Sequence, residues 1–101
     1  MDETALKKML LSTKFPVAYA HYTSPPKLPY LIYYLDRSRN FGADDQVYAQ
    51  AADYIIELYC DKRDPKREAQ IEKLLNDNGI YWEKTGTWIQ SERFYLTAYY
   101  I

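Results

Sequence analysis

Few side chains in this sequence are of the types that do chemistry. One histidine, His21, and one cysteine, Cys60, are present. A Ser-His or Cys-His nucleophile would have to use that single imidazole, and neither a cysteine-built zinc site nor an internal disulfide can form. Paired carboxylates occur at Asp44-Asp45 and at Asp61 with Asp64. Metal binding or acid–base work needs partners at recognisable spacing, and these pairs have none; they read as a solvated loop and a helix cap. His21 stands between Ala20 and Tyr22 in a strand-like run and reads as a partly buried, hydrogen-bonded side chain. Cys60 follows the apolar alternation of its own segment and reads as a small core residue. These residues imply no catalysis, no metal and no cofactor.

Glycine adds little. The three glycines, at 42, 79 and 86, are too scattered for a phosphate-cradling loop. Gly79-Ile80-Tyr81 resembles the first half of a GIY-YIG nuclease motif. The Tyr-Ile-Gly half is missing, and a glycine that ends a helix accounts for Gly79.

The chain has 101 residues, the size of one domain. Thirteen Lys plus Arg stand against 14 Asp plus Glu, a formal net charge of −1. That balance excludes binding nucleic acid through bulk positive charge. The first residues carry no basic stretch ahead of an apolar one, so no signal peptide is expected. No apolar run approaches the roughly 18 residues of a membrane helix. The unusual feature is tyrosine, 12 of the 101 residues. Tyrosine covers large area at low entropic cost and is enriched at interfaces. Several of the twelve are expected in subunit contacts; stacking on single-stranded nucleic acid is the competing use.

The elements that must position these residues follow from periodicity. Leu6, Met9 and Leu10 repeat at helical spacing, so a helix is expected over 3–13, with Asp2 as its cap. Residues 17–22 alternate as a strand, with Val17, Tyr19 and His21 on one side. Pro25 and Pro26 break the pattern, and 29–36 reads as a second strand, apolar on both faces. Asp36–Gln46 is charged and aperiodic and reads as a loop. Residues 47–61 read as a long strand in which Tyr54, Ile56, Leu58 and Cys60 share a side. Asp64-Pro65 starts a second helix, over 65–78, with its stripe at Ile71, Leu74 and Leu75. Strands at 80–85 and 92–101 complete the chain; in the last, Phe94, Leu96, Ala98 and Tyr100 face one way. The order α-β-β-β-α-β-β implies an α+β fold, a mostly antiparallel sheet with two helices on one face.

Taken in order, these pieces resemble a known family. Phe15-Pro16-Val17-Ala18-Tyr19, Pro25-Pro26, Leu28-Pro29-Tyr30, Asn40-Phe41-Gly42-Ala43-Asp44, Tyr54-Ile55-Ile56-Glu57-Leu58-Tyr59, Lys62-Arg63-Asp64-Pro65 and Trp88-Ile89-Gln90-Ser91-Glu92 run nearly end to end. They look like the small minor capsid or tail-completion proteins of siphophages and prophages of Gram-positive bacteria. The element order is similar to that of tail terminators and tail-to-head joining proteins. The resemblance implies a structural virion protein at the tail or head–tail interface. It would be made in the host bacterial cytoplasm, monomeric when free, and closed into a ring on assembly, as members of that family commonly form hexamers. Its partners would be further copies, the tail tube and head connector proteins, with no membrane and no sequence-specific nucleic acid. The alternative is a small nucleic-acid-associated or regulatory binding module with a tyrosine-rich surface. On the ring reading, Arg37, Arg39, Phe41, Asp44 and Asp45 are the candidate subunit contacts. Their loop is expected to be mobile in the free subunit and to order on assembly, because one large apolar residue cannot offset the ordering of eleven residues at roughly 1–2 kcal/mol each.

Overall fold

The computed structural model describes residues 2–43 and 46–101, and the side chains among them outside 39–51. The elements are α1 (Glu3–Leu11), β1 (Val17–Tyr19), β2 (Tyr30–Ala43), β3 (Gln46–Cys60), α2 (Pro65–Asp77), β4 (Glu83–Ile89) and β5 (Phe94–Tyr100). The class is α+β, in the order the sequence implies. The five strands lie side by side as β1-β2-β3-β5-β4. The sheet is mixed rather than wholly antiparallel, because β1 runs parallel to β2, with Val17 opposite Leu31. Parallel pairing requires the chain to return to its starting end. The proline-bearing stretch between Tyr19 and Tyr30 is long enough to carry it back.

Local chemistry fixes both helices. The Asp2 carboxylate accepts from the Ala5 N–H at 2.7 Å and caps α1. Past its last turn, the Thr13 hydroxyl donates to the Leu10 carbonyl at 2.7 Å and accepts from the Phe15 N–H at 3.2 Å. This buried knot ends the helix before Pro16. Asp64 caps α2 by accepting from the Arg67 N–H at 3.2 Å, and Pro65 occupies the first turn. That backbone hydrogen bond, with the Arg67 guanidinium beside it, holds the Asp64 carboxyl below its usual range. Gly79 follows at φ 66°, the left-handed turn that glycine makes without strain.

Both helices cover the same side of the sheet. Leu6, Met9 and Leu10 of α1 and Ile71 and Leu75 of α2 pack against Leu31, Tyr33, Ile56, Leu58 and Tyr99. Fully buried aliphatic side chains of this size each gain roughly 1.5–3 kcal/mol from leaving water. Leu74, which belongs to the same helical stripe, only flanks this cluster and stays partly exposed. A polar clamp joins α2 to the far edge of the sheet. Glu68 is buried, and Lys84 of β4 reaches its carboxylate at 3.0 Å and that of Glu72 at 2.8 Å. Arg63 closes on Glu68 at 3.3 Å. The Tyr99 hydroxyl donates to Glu72 at 2.8 Å and to the Glu68 carbonyl at 3.2 Å.

Four expectations need correction. Asp36–Gln46 is not a loop: β2 continues through Ala43, and β3 begins at Gln46. Asp36, Arg37 and Ser38 are exposed, so their polar side chains are compatible with a strand here. β1 stops at Tyr19, two residues before His21, and His21 is exposed rather than partly buried. Ala20 takes a positive φ of 67°, which turns the chain out of the sheet there. The fourth strand lies at 83–89 rather than 80–85, since Ile80 and Trp82 pack on the helical side as a lead-in. The fifth begins at Phe94, after a turn through Arg93.

The burial pattern yields a test. Leu75→Ala should lower the unfolding free energy by about 2–5 kcal/mol in urea titrations. Leu74→Ala, at a partly wet position, should cost clearly less. Equal losses would show that the two residues share the same degree of burial.

Candidate functional site

The helices leave the opposite side of the sheet without cover. Register places Tyr30, Ile32 and Tyr34 of β2, Ile55, Glu57 and Tyr59 of β3, and Phe94, Leu96, Ala98 and Tyr100 of β5 on that side. A chain of rings crosses it. Tyr22 meets Tyr30 edge-on at 5.1 Å, Tyr30 stacks on Tyr59 at 4.9 Å, and Phe94 meets Tyr59 edge-on at 4.9 Å. Each such pair adds roughly 0.5–1.5 kcal/mol beyond the area it buries. Tyr30, Ile32, Ile55 and Ala98 are buried all the same, while Tyr100 remains 43% exposed.

One carboxylate stands in the middle of this face. Glu57 accepts from the Tyr59 hydroxyl at 2.6 Å and from the Tyr34 hydroxyl at 3.3 Å. The two hydroxyls fix its orientation and leave it capacity for further donors. Burial, then the Glu57 charge, pushes the Tyr34 hydroxyl up to about 12. Burial is also the main cause that raises Tyr59, followed by its hydrogen bond to Glu57. The charges of Asp36 and Glu92 raise Tyr34 and Tyr30 in the same direction. The face is therefore aromatic and net acidic.

The second feature is the outer half of the β2–β3 hairpin. β1 pairs with β2 only as far as Tyr33, and β5 pairs with β3 only from Ile55 onward. Beyond these points, among the described residues, β2 and β3 pair only with each other, from Arg37 opposite Asp53 to Ala43 opposite Gln46. This arm lengthens the molecule to 51 Å along its main axis, against 28 and 22 Å across it. Its base is tied to the body by the Leu35 N–H, which donates to the Tyr19 hydroxyl at 3.2 Å. A bulge at Asp36 resets the alternation of β2. Arg37, Arg39 and Phe41 thereby become register partners of Asp53, Ala51 and Ala49, on the side of the ribbon continuous with the open face. The structure thus brings three of the candidate contact residues to one side. Asp44 and Asp45, the other two, lie outside the described residues. Arg37 also closes an exposed ion pair with Asp53 at 3.0 Å.

Sequence reasoning missed the open face as a site. It had the alternation of Phe94, Leu96, Ala98 and Tyr100, but not the fact that both helices would choose the opposite side. The signal available was the second strand, apolar on both faces while flanked by only two helices.

Other positions offer less. A hollow of about 80 Å³ between Leu6, Ala52, Tyr54, Ile80 and Ile101 is well below the usual size of a small-molecule site. Among the described residues no group of three or more His, Cys, Asp or Glu side chains is placed to hold a metal ion. No helix among them is long and apolar enough to cross a membrane. Tyr81, from the Gly79-Ile80-Tyr81 run, is exposed and donates to Glu83 at 3.1 Å. Comparisons with protein-family models, curated proteins and solved structures return no match to this chain.

Burial of Tyr34, together with its contact to Glu57, makes stability depend on alkaline pH. Tyr34 ionises near 10.0 in the unfolded chain but near 12 in the fold. Between these values the folded state holds the extra proton, so stability should fall as pH rises through that window and not change on this account below it. Glu57→Gln should bring the Tyr34 transition part of the way back toward its ordinary value, since burial remains. Tyrosinate absorbance, read as the difference from Tyr34→Phe, measures it. An unchanged transition would show that the carboxylate does not act on this hydroxyl.

Proposed function

We propose that this chain is a structural subunit that completes a phage tail or the head–tail interface by closing into a ring with further copies. The observation that carries the reading is the one-sided sheet: an aromatic face that no helix covers and a two-stranded arm without flanking strands. Surfaces of this kind are what a subunit presents before assembly. A contact between two different surfaces of the same chain repeats by rotation and closes into a ring. The near end-to-end resemblance to tail-completion proteins supports the same assignment at the level of the fold. Nothing in the reading requires a reaction or a cofactor.

The alternative, stacking of single-stranded nucleic acid on the tyrosines, is disfavoured by Glu57. A carboxylate at the centre of the platform, with Asp36 and Glu92 at its margins, repels phosphates, whereas strand-binding grooves track the backbone with positive charge.

The test is size-exclusion chromatography with light scattering, with and without isolated tail tubes of siphophages of Gram-positive bacteria. The free chain should elute at the monomer mass of 12.0 kDa. With unfinished tubes it should leave that fraction and be recovered on tube ends in a fixed whole-number ratio. Tubes that leave its elution unchanged would sink the proposal. Single-stranded DNA that shifts it at physiological salt would favour the alternative.

A further inference from the structure

Each copy carries an arm that lacks a third strand and a sheet face that lacks a cover. We propose that the two satisfy each other between copies: the β2–β3 arm of one subunit lies across the open face of the next, with its Arg37–Arg39–Phe41 side toward Glu57. The proposal rests on the ring reading and names the surfaces that would make it.

Three observations converge on this occupant. The first is the stability of the arm. A lone two-stranded hairpin is marginal in water and gains from a third strand or an apolar surface to pack on. No strand of its own subunit pairs with it beyond Leu35, and the body meets only the side bearing Ser38 and Ala52, where Ala52 lines a hollow with Leu6, Ile80 and Ile101. The second is size. Asp36 to Ala43 spans roughly 26 Å at about 3.3 Å per residue, and the seven residues of β5 span about 23 Å. The arm therefore matches the face along the strands.

The third is charge. A purely apolar cover would bury the Glu57 carboxylate with only two tyrosine hydroxyls for company. Burying a carboxylate without a cation is strongly unfavourable, so the occupant must bring positive charge into an otherwise aromatic surface. Register gives that side of the arm Arg37, Arg39 and Phe41 opposite Asp53, Ala51 and Ala49, two arginines and a phenylalanine against a single carboxylate. The Arg37–Asp53 pair does not tie up that arginine strongly, because the Arg37 side chain is 67% exposed. A guanidinium also presents two parallel donors to a carboxylate that already has its plane fixed by Tyr34 and Tyr59.

The contact is read by intermolecular paramagnetic broadening. Ser38 is exposed and its register position lies on the other side of the ribbon, so a spin label on Ser38→Cys marks the arm without entering the contact. Cys60 is buried, with its thiol pushed up to about 11, and will not compete for the label. Labelled chain is mixed with isotope-enriched wild type at millimolar concentration. Amides of 55–59 and 96–100 in the enriched chain should broaden. Arg37→Glu with Arg39→Glu, both on the arm and outside the core, should weaken the association at least tenfold, as should Glu57→Lys. The three substitutions together should restore it.

Broadening on α1 and α2 instead, or none at any concentration, would overturn the proposal, as would an arm double variant that associates like wild type. Copies that associate in this way yet never join tail ends would remove the tail reading and leave the contact standing. Tails completed normally by the arm double variant would keep the tail reading and overturn the contact.

Discussion

Two helices of nine and 13 residues can cover only one side of a five-stranded sheet. That constraint shapes the rest of the molecule. The stripes on α1 and α2 converge on a single layer of side chains, and the strands respond with a core side of Leu31, Tyr33, Ile56, Leu58 and Tyr99. The other side receives no helix. It carries tyrosines with a polar tip, a carboxylate held between two of them, and apolar side chains among them. A sheet buried on both faces would have no place for Glu57, and a sheet intended to remain wet would have no reason for Ile32, Ile55 and Leu96 beside it.

The covered side is held by more than apolar contact. Glu68 brings a carboxylate into the interface between α2 and the sheet, where an unpaired charge would be strongly destabilising. Lys84 and Arg63 answer it, and Lys84 also spans to Glu72. The hydrogen bond to Glu72 leads the causes that raise the Lys84 pKa, against a desolvation that lowers it. The Tyr99 hydroxyl completes the set, and no buried side-chain polar atom among the described residues lacks a partner. Such a network ties α2 to β4 and β5 through groups that all have partners.

The tyrosines divide along the same line. Tyr33, Tyr54 and Tyr99 serve the covered core, while Tyr30, Tyr34, Tyr59 and Tyr100 lie on the open face. A single composition figure therefore conceals two populations. The first fills volume, and within it the Tyr99 hydroxyl is satisfied internally by Glu72 and the Glu68 carbonyl. The second builds a platform whose central charge selects what can rest on it. Arm and platform belong to the same two strands, so the hairpin register that sets out Glu57 also sets out Arg37, Arg39 and Phe41.

Much of this was legible in the residues alone. The stripes Leu6-Met9-Leu10 and Ile71-Leu74-Leu75, the caps at Asp2 and Asp64, Gly79 at the helix end and the alternation of Tyr54, Ile56, Leu58 and Cys60 are local signals. They arise from neighbours three or four residues apart, or two, and the element order follows from them. Three features were not legible. The parallel pairing of β1 depends on where a proline-bearing connection returns the chain, which no short pattern encodes. The extension of β2 through Arg37–Ala43 was hidden because its composition is that of a loop; it becomes a strand only because β3 runs back beside it in register. The open face was hidden because alternation states that a strand has two sides but not which side the helices will take. That choice is made by packing between elements distant in sequence, and by the Glu68–Lys84–Tyr99 clamp, which exists only once α2 lies on the sheet.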